Sequence, residues 1–159
     1  MKSMKFALEL RSAFAKYSPR VLQDSTDDGE ECAELIFDGD GEKLHISVTV
    51  RADEDACSLW LGGMCIGDEV PLNETKTLLS ALLDDKVAVV SGYRNIKRYE
   101  AKEPYFERIF LLDSESAELD GLLNRLKKPK GFFSRLWSGD GVYVLSKYSG
   151  REVINGKNP

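Results

Sequence analysis

The stretch that decides the fold covers residues 86–113, KVAVVSGYRNIKRYEAKEPYFERIFLLD. It opens with the apolar run 87–90 and closes with the mainly apolar run 105–112. Runs of this length, rich in β-branched and aromatic residues, are typical of β-strands. Because a polar, basic connection joins the two runs, we predict two neighbouring antiparallel strands at the centre of a sheet.

The rest of the chain surrounds this pair with helices and further strands. The predicted elements, in chain order, are a helix ending at Pro19, strands at 33–37, 44–50 and 57–61, a helix at 73–85, strands at 87–90 and 105–112, a helix at 113–128 and a strand at 142–148. The order α-β-β-β-α-β-β-α-β, with short β–β links, predicts an α+β fold with a mainly antiparallel β-sheet and about three helices. Since neither a repeat nor a linker divides the sequence, we predict a single domain over residues 1–159, with 155–159 as a frayed tail.

The strand predicted at 44–50 shows the clearest alternation. Its apolar side chains are Leu44, Ile46, Val48 and Val50. One face of the sheet therefore packs on a core, and the other face meets solvent or a partner. Residues 38–41 predict a tight turn before this strand, and Gly62-Gly63 interrupts the strand that follows it.

The net charge of −5 hides an uneven distribution along the chain. Residues 1–19 carry +3, residues 20–85 carry −13 and residues 86–159 carry +5. Asymmetry of this kind bears on partners and on association rates rather than on the fold. The acidic section is therefore the first candidate for a binding surface.

The acidic residues of that section fall into three groups. They are Asp24, Asp27, Asp28, Glu30 and Glu31; Asp38, Asp40 and Glu42; and Asp53, Glu54 and Asp55. Ordinary solvated turns are the plain interpretation of such runs. The functional interpretation is a surface that steers and docks a basic protein partner. The second and third groups lie at opposite ends of the strand at 44–50, so the three groups need not form one patch.

The stretch 127–137 combines lysines with an aromatic cluster, Phe132, Phe133 and Trp137. Such a stretch can insert aromatic rings into a membrane surface, or stack them on nucleic-acid bases. We favour a short element that packs these rings over the core, and whether it is core or contact surface stays open. The net acidity argues against nucleic acid, and we expect neither a nucleic-acid partner nor membrane contact.

No catalytic or metal motif stands out. A calcium loop that began at Asp38 would need glutamate at its twelfth position, where the chain has Thr49. His45 is the only histidine, so one chain cannot form a two-histidine metal site. Cys57 or Cys65 could in principle pair with His45 in a nucleophilic site, but no fingerprint supports this. We therefore expect no metal, no cofactor and no enzymatic activity.

The three cysteines and the first residues bear on the compartment. An odd cysteine count without a C-x-x-C motif predicts reduced thiols in a cytoplasmic protein. Glu9 and Arg11 interrupt what would be the apolar core of a signal peptide, so we expect none.

The size, acidity and predicted element order resemble class I secretion chaperones, and are also similar to the small α+β immunity proteins that neutralise bacterial toxins. The resemblance rests on element order over about 125 residues and on no motif. It implies a protein-binding function, although the strand predicted after Val142 departs from the chaperone layout. Our first hypothesis is an immunity or inhibitor protein that masks the basic surface of a toxin. The alternatives are a chaperone-like homodimer that binds an effector segment, and a small enzyme with a Cys/His site.

Overall fold

The computed structural model describes residues 2–25, 31–51, 55–128 and 141–155. The chain forms two compact units, an N-terminal unit (Met1–Asp84) and a C-terminal unit (Asp85–Pro159). Each unit contains its own antiparallel sheet. The predicted α+β class and antiparallel pairing are confirmed, but two sheets replace the one that was expected. The single domain stays a prediction.

The N-terminal unit is a five-stranded meander with two helices. Its elements are α1 (Lys2–Ala13), a 3₁₀ turn (Ala15–Tyr17), β1 (Arg20–Ser25), β2 (Glu31–Phe37), β3 (Ile46–Arg51), β4 (Ala56–Leu61), β5 (Met64–Pro71) and α2 (Leu72–Leu83). The strands pair in chain order, each antiparallel to the next. Because every link joins neighbouring strands, each turn lies at one end of the sheet or the other.

Alternation along the strands decides which face of this sheet is covered. On β3, Ile46, Val48 and Val50 are buried, whereas the polar residues between them are only partly covered, as predicted. Helix α1 packs against β1, β2 and β3, and α2 packs against β4 and β5. Phe37 is fully buried on the covered face and meets the rings of Phe14 and Tyr17 edge to face, with centroids 6.1 and 6.4 Å apart.

Two strands of this sheet were not predicted. Gly62 and Gly63 have φ angles of 55° and 86°, the left-handed values that a two-residue hairpin turn requires. They therefore join β4 to β5 rather than interrupting a single strand. β1 also escaped prediction, because an edge strand covered on one face carries a weak apolar pattern. The predicted tight turn at 38–41 is wrong as well, since residues 38–45 form a longer connection between β2 and β3.

The C-terminal unit contains β6 (Val87–Tyr93), α3 (Ile96–Glu100), β7 (Phe106–Leu111), α4 (Leu112–Lys127), β8 (Val142–Lys147) and β9 (Gly150–Val153). Its strands are antiparallel in the order β7-β6-β8-β9. The predicted pairing of the two strands within residues 86–113 is confirmed. Strand β6 is central and buried along nearly its whole length, but β7 is an edge strand, because the β8–β9 hairpin adds only to the other side of β6.

Helix α4 supplies the core on one face of this second sheet. Leu119 on α4 packs with Ala88, Val90 and Phe110 from the strands, and Tyr143 belongs to the same cluster. Helix α3 was not predicted, because its five residues are too few to show apolar periodicity. The described ranges therefore contain four α-helices, where about three were predicted. None of the helices in the described ranges is long and apolar enough to cross a membrane.

Candidate functional site

Charge divides between the two compact units. The N-terminal unit contains 8 basic and 17 acidic residues, a net charge of −9, whereas the C-terminal unit contains 14 basic and 10 acidic residues, a net charge of +4. A surface with an excess of one sign raises the local concentration of oppositely charged partners and speeds their association. The N-terminal unit is therefore the candidate for contact with a basic partner.

The meander brings together the strand ends that adjoin two of the three acidic groups. Ser25 pairs with Glu31, and Cys32 pairs with Arg51, so the end of β1, the start of β2 and the end of β3 lie at one end of the sheet. Ala56 begins β4 at that same end. We call this the acidic end of the sheet. Sequence reasoning could not place the first and third groups together, because it missed β1 and therefore the β1–β2 hairpin.

The structure describes only some of the predicted site residues. Those outside the described residues are Asp27, Asp28, Glu30, Asp53, Glu54, Phe132, Phe133 and Trp137. For Asp24 and Glu31 only the backbone is described. The side chains that remain are those of Asp38, Asp40, Glu42 and Asp55, and Asp55 alone lies at the acidic end.

The second acidic group lies at the opposite end of the sheet, as the sequence predicted. There Asp38 accepts two hydrogen bonds from the guanidinium of Arg20, at 2.6 Å from Nε and 2.8 Å from Nη2. The hydrogen bond from Arg20 is the main cause that holds the pKa of Asp38 below its ordinary value. Because Arg20 compensates the charge of Asp38, this group presents less negative potential than its sequence indicates.

A small cavity opens at the acidic end, entirely within the N-terminal unit. Its volume is about 190 Å³. It is lined by Ser3, Lys5, Phe6 and Glu9 on α1, Val50 and Arg51 at the end of β3, Asp55, and Leu72 at the start of α2. The cavity therefore places Glu9, which sequence reasoning did not single out, at the same site as Asp55.

A buried hydroxyl lies beside this cavity. Ser3 is 1% exposed, and its Oγ has no hydrogen-bond partner in the described part of the chain. Burying a hydroxyl without a hydrogen-bond partner costs roughly 1–3 kcal/mol. Native structures therefore contain few buried hydroxyls that lack a partner. The sequence did carry a sign of this position, because Ser3 precedes Ala7 and Leu10 by one and two helical turns and therefore lies on their buried face.

Three of the charged side chains around the cavity lack hydrogen bonds and ion pairs with other described residues. The side chains of Lys5, Glu9 and Asp55 make no hydrogen bond or ion pair with any other residue that the structure describes. Arg51 differs, because it interacts with other groups. The pKa of Asp68 is lowered mainly by the hydrogen bond from Ser58, and the charge of Arg51 adds to that effect. The lining of the cavity therefore carries two carboxylates, one ammonium and one guanidinium, and its formal charges balance.

The Cys/His hypothesis finds no matching geometry. Cys57 lies opposite Val50 on β3, and Val50 is five residues along the chain from His45, which is about 16 Å at the usual rise per residue of a strand. Burial raises the pKa of the Cys57 thiol to about 11. Cys65 is exposed on β5, two strand spacings or about 10 Å across the sheet from β3. Within the described ranges, no three His, Cys, Asp or Glu residues cluster as metal ligands would.

The face of the five-stranded sheet that carries partly exposed side chains is the other candidate surface. Register pairs Ile36 with Ser47, Ser47 with Trp60 and Trp60 with Cys65, so one row crosses four strands. Trp60 is 36% exposed, and Leu22 on β1 is 42% exposed. Large apolar side chains on such a face are suited to contact with a partner, although scattered ones are common on any protein surface.

Comparison with protein-family models, with curated proteins and with solved structures found no match for this chain. The element order also weakens the resemblance to secretion chaperones. Five strands, rather than three, lie between the first two long helices, and a short helix separates β6 from β7.

Proposed function

We propose that the chain is a non-enzymatic protein-binding module of the immunity or inhibitor type, whose N-terminal unit binds a basic surface on a partner protein. The observation that carries the proposal is the division of charge, −9 on the N-terminal unit against +4 on the C-terminal unit. A toxin that acts on nucleic acid would offer a suitable target, because such proteins attract phosphate with clustered lysines and arginines. Masking that cluster would block the toxin's substrate.

The acidic end of the sheet is the contact surface in this proposal. Rim charges chiefly set the association rate and the choice of partner, whereas buried groups set the dissociation rate. A cytoplasmic location completes the proposal, because all three cysteines are thiols rather than disulfides.

A salt-graded pull-down tests this proposal. The tagged chain is incubated with lysate of its own cells at low salt, and bound protein is released by increasing salt. We expect one stoichiometric basic partner that elutes with salt. The triple variant Asp53→Asn, Glu54→Gln, Asp55→Asn should capture much less of this partner.

A matched control removes three carboxylates from the other unit. Glu100→Gln, Asp120→Asn and Glu152→Gln change the net charge by the same amount, at exposed positions of the C-terminal unit. Capture should be unchanged in this control. Equal losses in both triple variants would show that only net charge matters, and capture of nothing at low salt would contradict the proposal itself.

The second candidate is a chaperone-like homodimer that binds an effector segment. The exposure of Leu22 and Trp60 on the five-stranded sheet favours it, because a chaperone of this kind needs apolar contact sites. Light scattering on the purified chain separates the two candidates. A monomer would count against the chaperone, whereas a dimer that the Trp60→Ser variant weakens would support it.

A further inference from the structure

We propose that the edge strand β7 pairs antiparallel with β7 of a second copy of this chain, so that two C-terminal sheets join in a homodimer. The inference does not rest on the proposed function, because it uses the C-terminal unit alone. It depends on which backbone groups of β7 are open, on the register that those groups impose, and on where the most exposed apolar side chains lie.

The hydrogen-bond pattern between β6 and β7 shows which backbone groups face outward. The N–H of Leu112 donates to the carbonyl of Lys86 at 2.8 Å, and the register between the two strands is unbroken along the whole of β7. Because residues of an antiparallel pair bond to their neighbour alternately, Glu107, Ile109 and Leu111 turn their N–H and C=O groups away from β6.

Helix α4 closes one of these three residues. The N–H of Leu111 donates to the carboxylate of Glu115 at 2.8 Å, and the hydroxyl of Ser114 donates to the carbonyl of Leu111 at 3.4 Å. The outward backbone groups of Glu107 and Ile109 bond to no residue that the structure describes. Open N–H and C=O groups on an edge strand form a template for pairing with another strand.

The other edge strands are less suited to pairing. β5 has register shifts against β4, Glu69 at a left-handed φ of 52° and a terminal Pro71, and each of these features disrupts a regular edge. β9 has only four residues. β1 is as long as β7, but Leu22 is the only large apolar side chain described on it that is exposed.

The open groups of β7 select one symmetric register. A two-fold axis through Arg108 places Glu107 of each copy opposite Ile109 of the other, and each of these pairs exchanges two hydrogen bonds. An axis through Glu107 or Ile109 would leave an open carbonyl without a donor. The N–H groups that such a register needs, those of Tyr105 and Leu111, already donate within the chain.

The same register brings exposed apolar residues together. Tyr105 and Leu111 are the most exposed of the large apolar residues described, at 50% and 45%. An axis through Arg108 places Tyr105 of each copy opposite Leu111 of the other, at both ends of the paired stretch. The two Arg108 side chains oppose association, but each guanidinium is held by Glu118 of its own chain. Because the contact is short, the dimer should dissociate on dilution.

The sign of a charge at position 109 tests this pairing in the full-length chain. Ile109→Glu places a carboxylate opposite Glu107 of the other copy, whereas Ile109→Lys places an ammonium there. Like charges directly opposite each other destabilise a strand pair, and opposite charges stabilise it. Sedimentation velocity over a range of concentrations should show a dimer for the native chain. The dimer dissociation constant should be about tenfold higher for Ile109→Glu than for Ile109→Lys.

The matched control makes the same two charge changes on the other sheet. Leu22→Glu and Leu22→Lys substitute an exposed residue of the edge strand β1. Their dimer dissociation constants should be equal to each other. Far-UV circular dichroism checks that all four variants are folded.

Engineered cysteines test the register and keep the native Ile109. The background is Cys65→Ser, because Cys65 is exposed. Arg108→Cys should give a disulfide-linked dimer with oxidised glutathione, since the two axial Cα atoms would lie about 4.5 Å apart. Glu107→Cys should not, because its two Cα atoms would lie roughly 9 Å apart. Non-reducing gel electrophoresis distinguishes the two results.

Each outcome decides the matter. A native chain that stays monomeric at all concentrations would overturn the inference, and so would equal dissociation constants for the two Ile109 variants. An equally large difference between the two Leu22 variants would show that net charge alone controls association. Crosslinking at position 107 in place of 108 would refute the register. A dimer that only Trp60→Ser weakens would place the interface on the five-stranded sheet. All of these results leave the capture of a basic partner, and thus the proposed function, untouched.

Discussion

Substituting Gly92 by alanine tests the packing of the second sheet most sharply. Gly92 on β6 pairs with Phe106 on β7, and the Phe106 ring lies over the glycine. A Cβ at this position would lie 2.7 Å from Cδ1 and 3.0 Å from Cζ of that ring. Carbon atoms pack at about 3.5–4.0 Å, so the ring would have to move by roughly 1 Å.

The contacts of the Phe106 ring determine how much its movement would lower the free energy of unfolding. The Phe106 ring packs on Tyr105 with centroids 5.0 Å apart and on Tyr143 with centroids 6.3 Å apart. The hydroxyl of Tyr105 also donates a hydrogen bond to that of Tyr143 at 3.2 Å. Overpacking of this kind costs about 1–3 kcal/mol, and alanine recovers up to about 1 kcal/mol through lower chain entropy in the unfolded state. We expect Gly92→Ala to lower the free energy of unfolding by about 1–2 kcal/mol.

The same substitution at Gly121 provides the control. Gly121 lies inside α4, and a Cβ there would meet nothing within 4 Å. Alanine is favoured over glycine in a helix by about 0.8–1 kcal/mol, so Gly121→Ala should raise the free energy of unfolding. Urea unfolding of the full-length chain, followed by far-UV circular dichroism, measures both. If Gly92→Ala were as stable as the native chain, or if both variants shifted in the same direction, the argument from packing would be refuted.

Three further predictions concern the N-terminal unit. Phe37→Ala should cost about 3–5 kcal/mol in urea unfolding, because its ring is fully buried, and Trp60→Ala, at a partly exposed side chain, should cost clearly less. Iodoacetamide at pH 8 should label the exposed Cys65 first. Burial raises the pKa of Cys57 to about 11 and should protect that thiol until the chain unfolds. Equal labelling rates of the two cysteines by mass spectrometry would contradict this prediction. Because the pKa of Asp38 is lowered by its arginine partner, the pair should stabilise the fold above the ordinary aspartate pKa and lose that effect as pH falls through the lowered value. Asp38→Asn should therefore reduce the acid dependence of the urea midpoint between pH 2 and pH 6.

The sequence predicted well wherever a local pattern matched the environment of a single element. The alternation at 44–50 became β3, whose apolar side chains are buried and whose polar side chains are partly exposed. The apolar run at 87–90 became the central strand β6, since a strand covered on both faces needs no polar positions. Such patterns depend only on which faces of a strand or helix are exposed to water.

The missed features depend on pairing or on single residues. β5 carries Asp68 and Glu69 beyond a register shift opposite β4, so its pattern does not look like a strand. Strand β8 pairs with β6 across more than forty intervening residues, and no local pattern in the sequence predicts such a pairing. Helix α3 depends on one cap, because the side chain of Asn95 accepts a hydrogen bond from the N–H of Arg98 at 3.0 Å.

The sequence predicted the acidic residues of the candidate site but not the cavity beside them. The acidic groups were recognised, and the opposite positions of the second and third groups were predicted. The cavity was missed because its lining comes from α1, β3, Asp55 and α2, which lie far apart along the sequence. Only Ser3, a polar residue on the buried face of α1, gave a local indication of it.

The most direct test of the central claim is the association rate of the captured partner with the full-length chain, measured over a range of ionic strength. The account predicts an association rate that falls steeply with added salt. It also predicts that the Asp53, Glu54 and Asp55 triple variant slows association while the control triple variant in the C-terminal unit does not. An association rate that is independent of salt, or equal in the two triple variants, would contradict the claim that the acidic end of the N-terminal unit binds a basic partner.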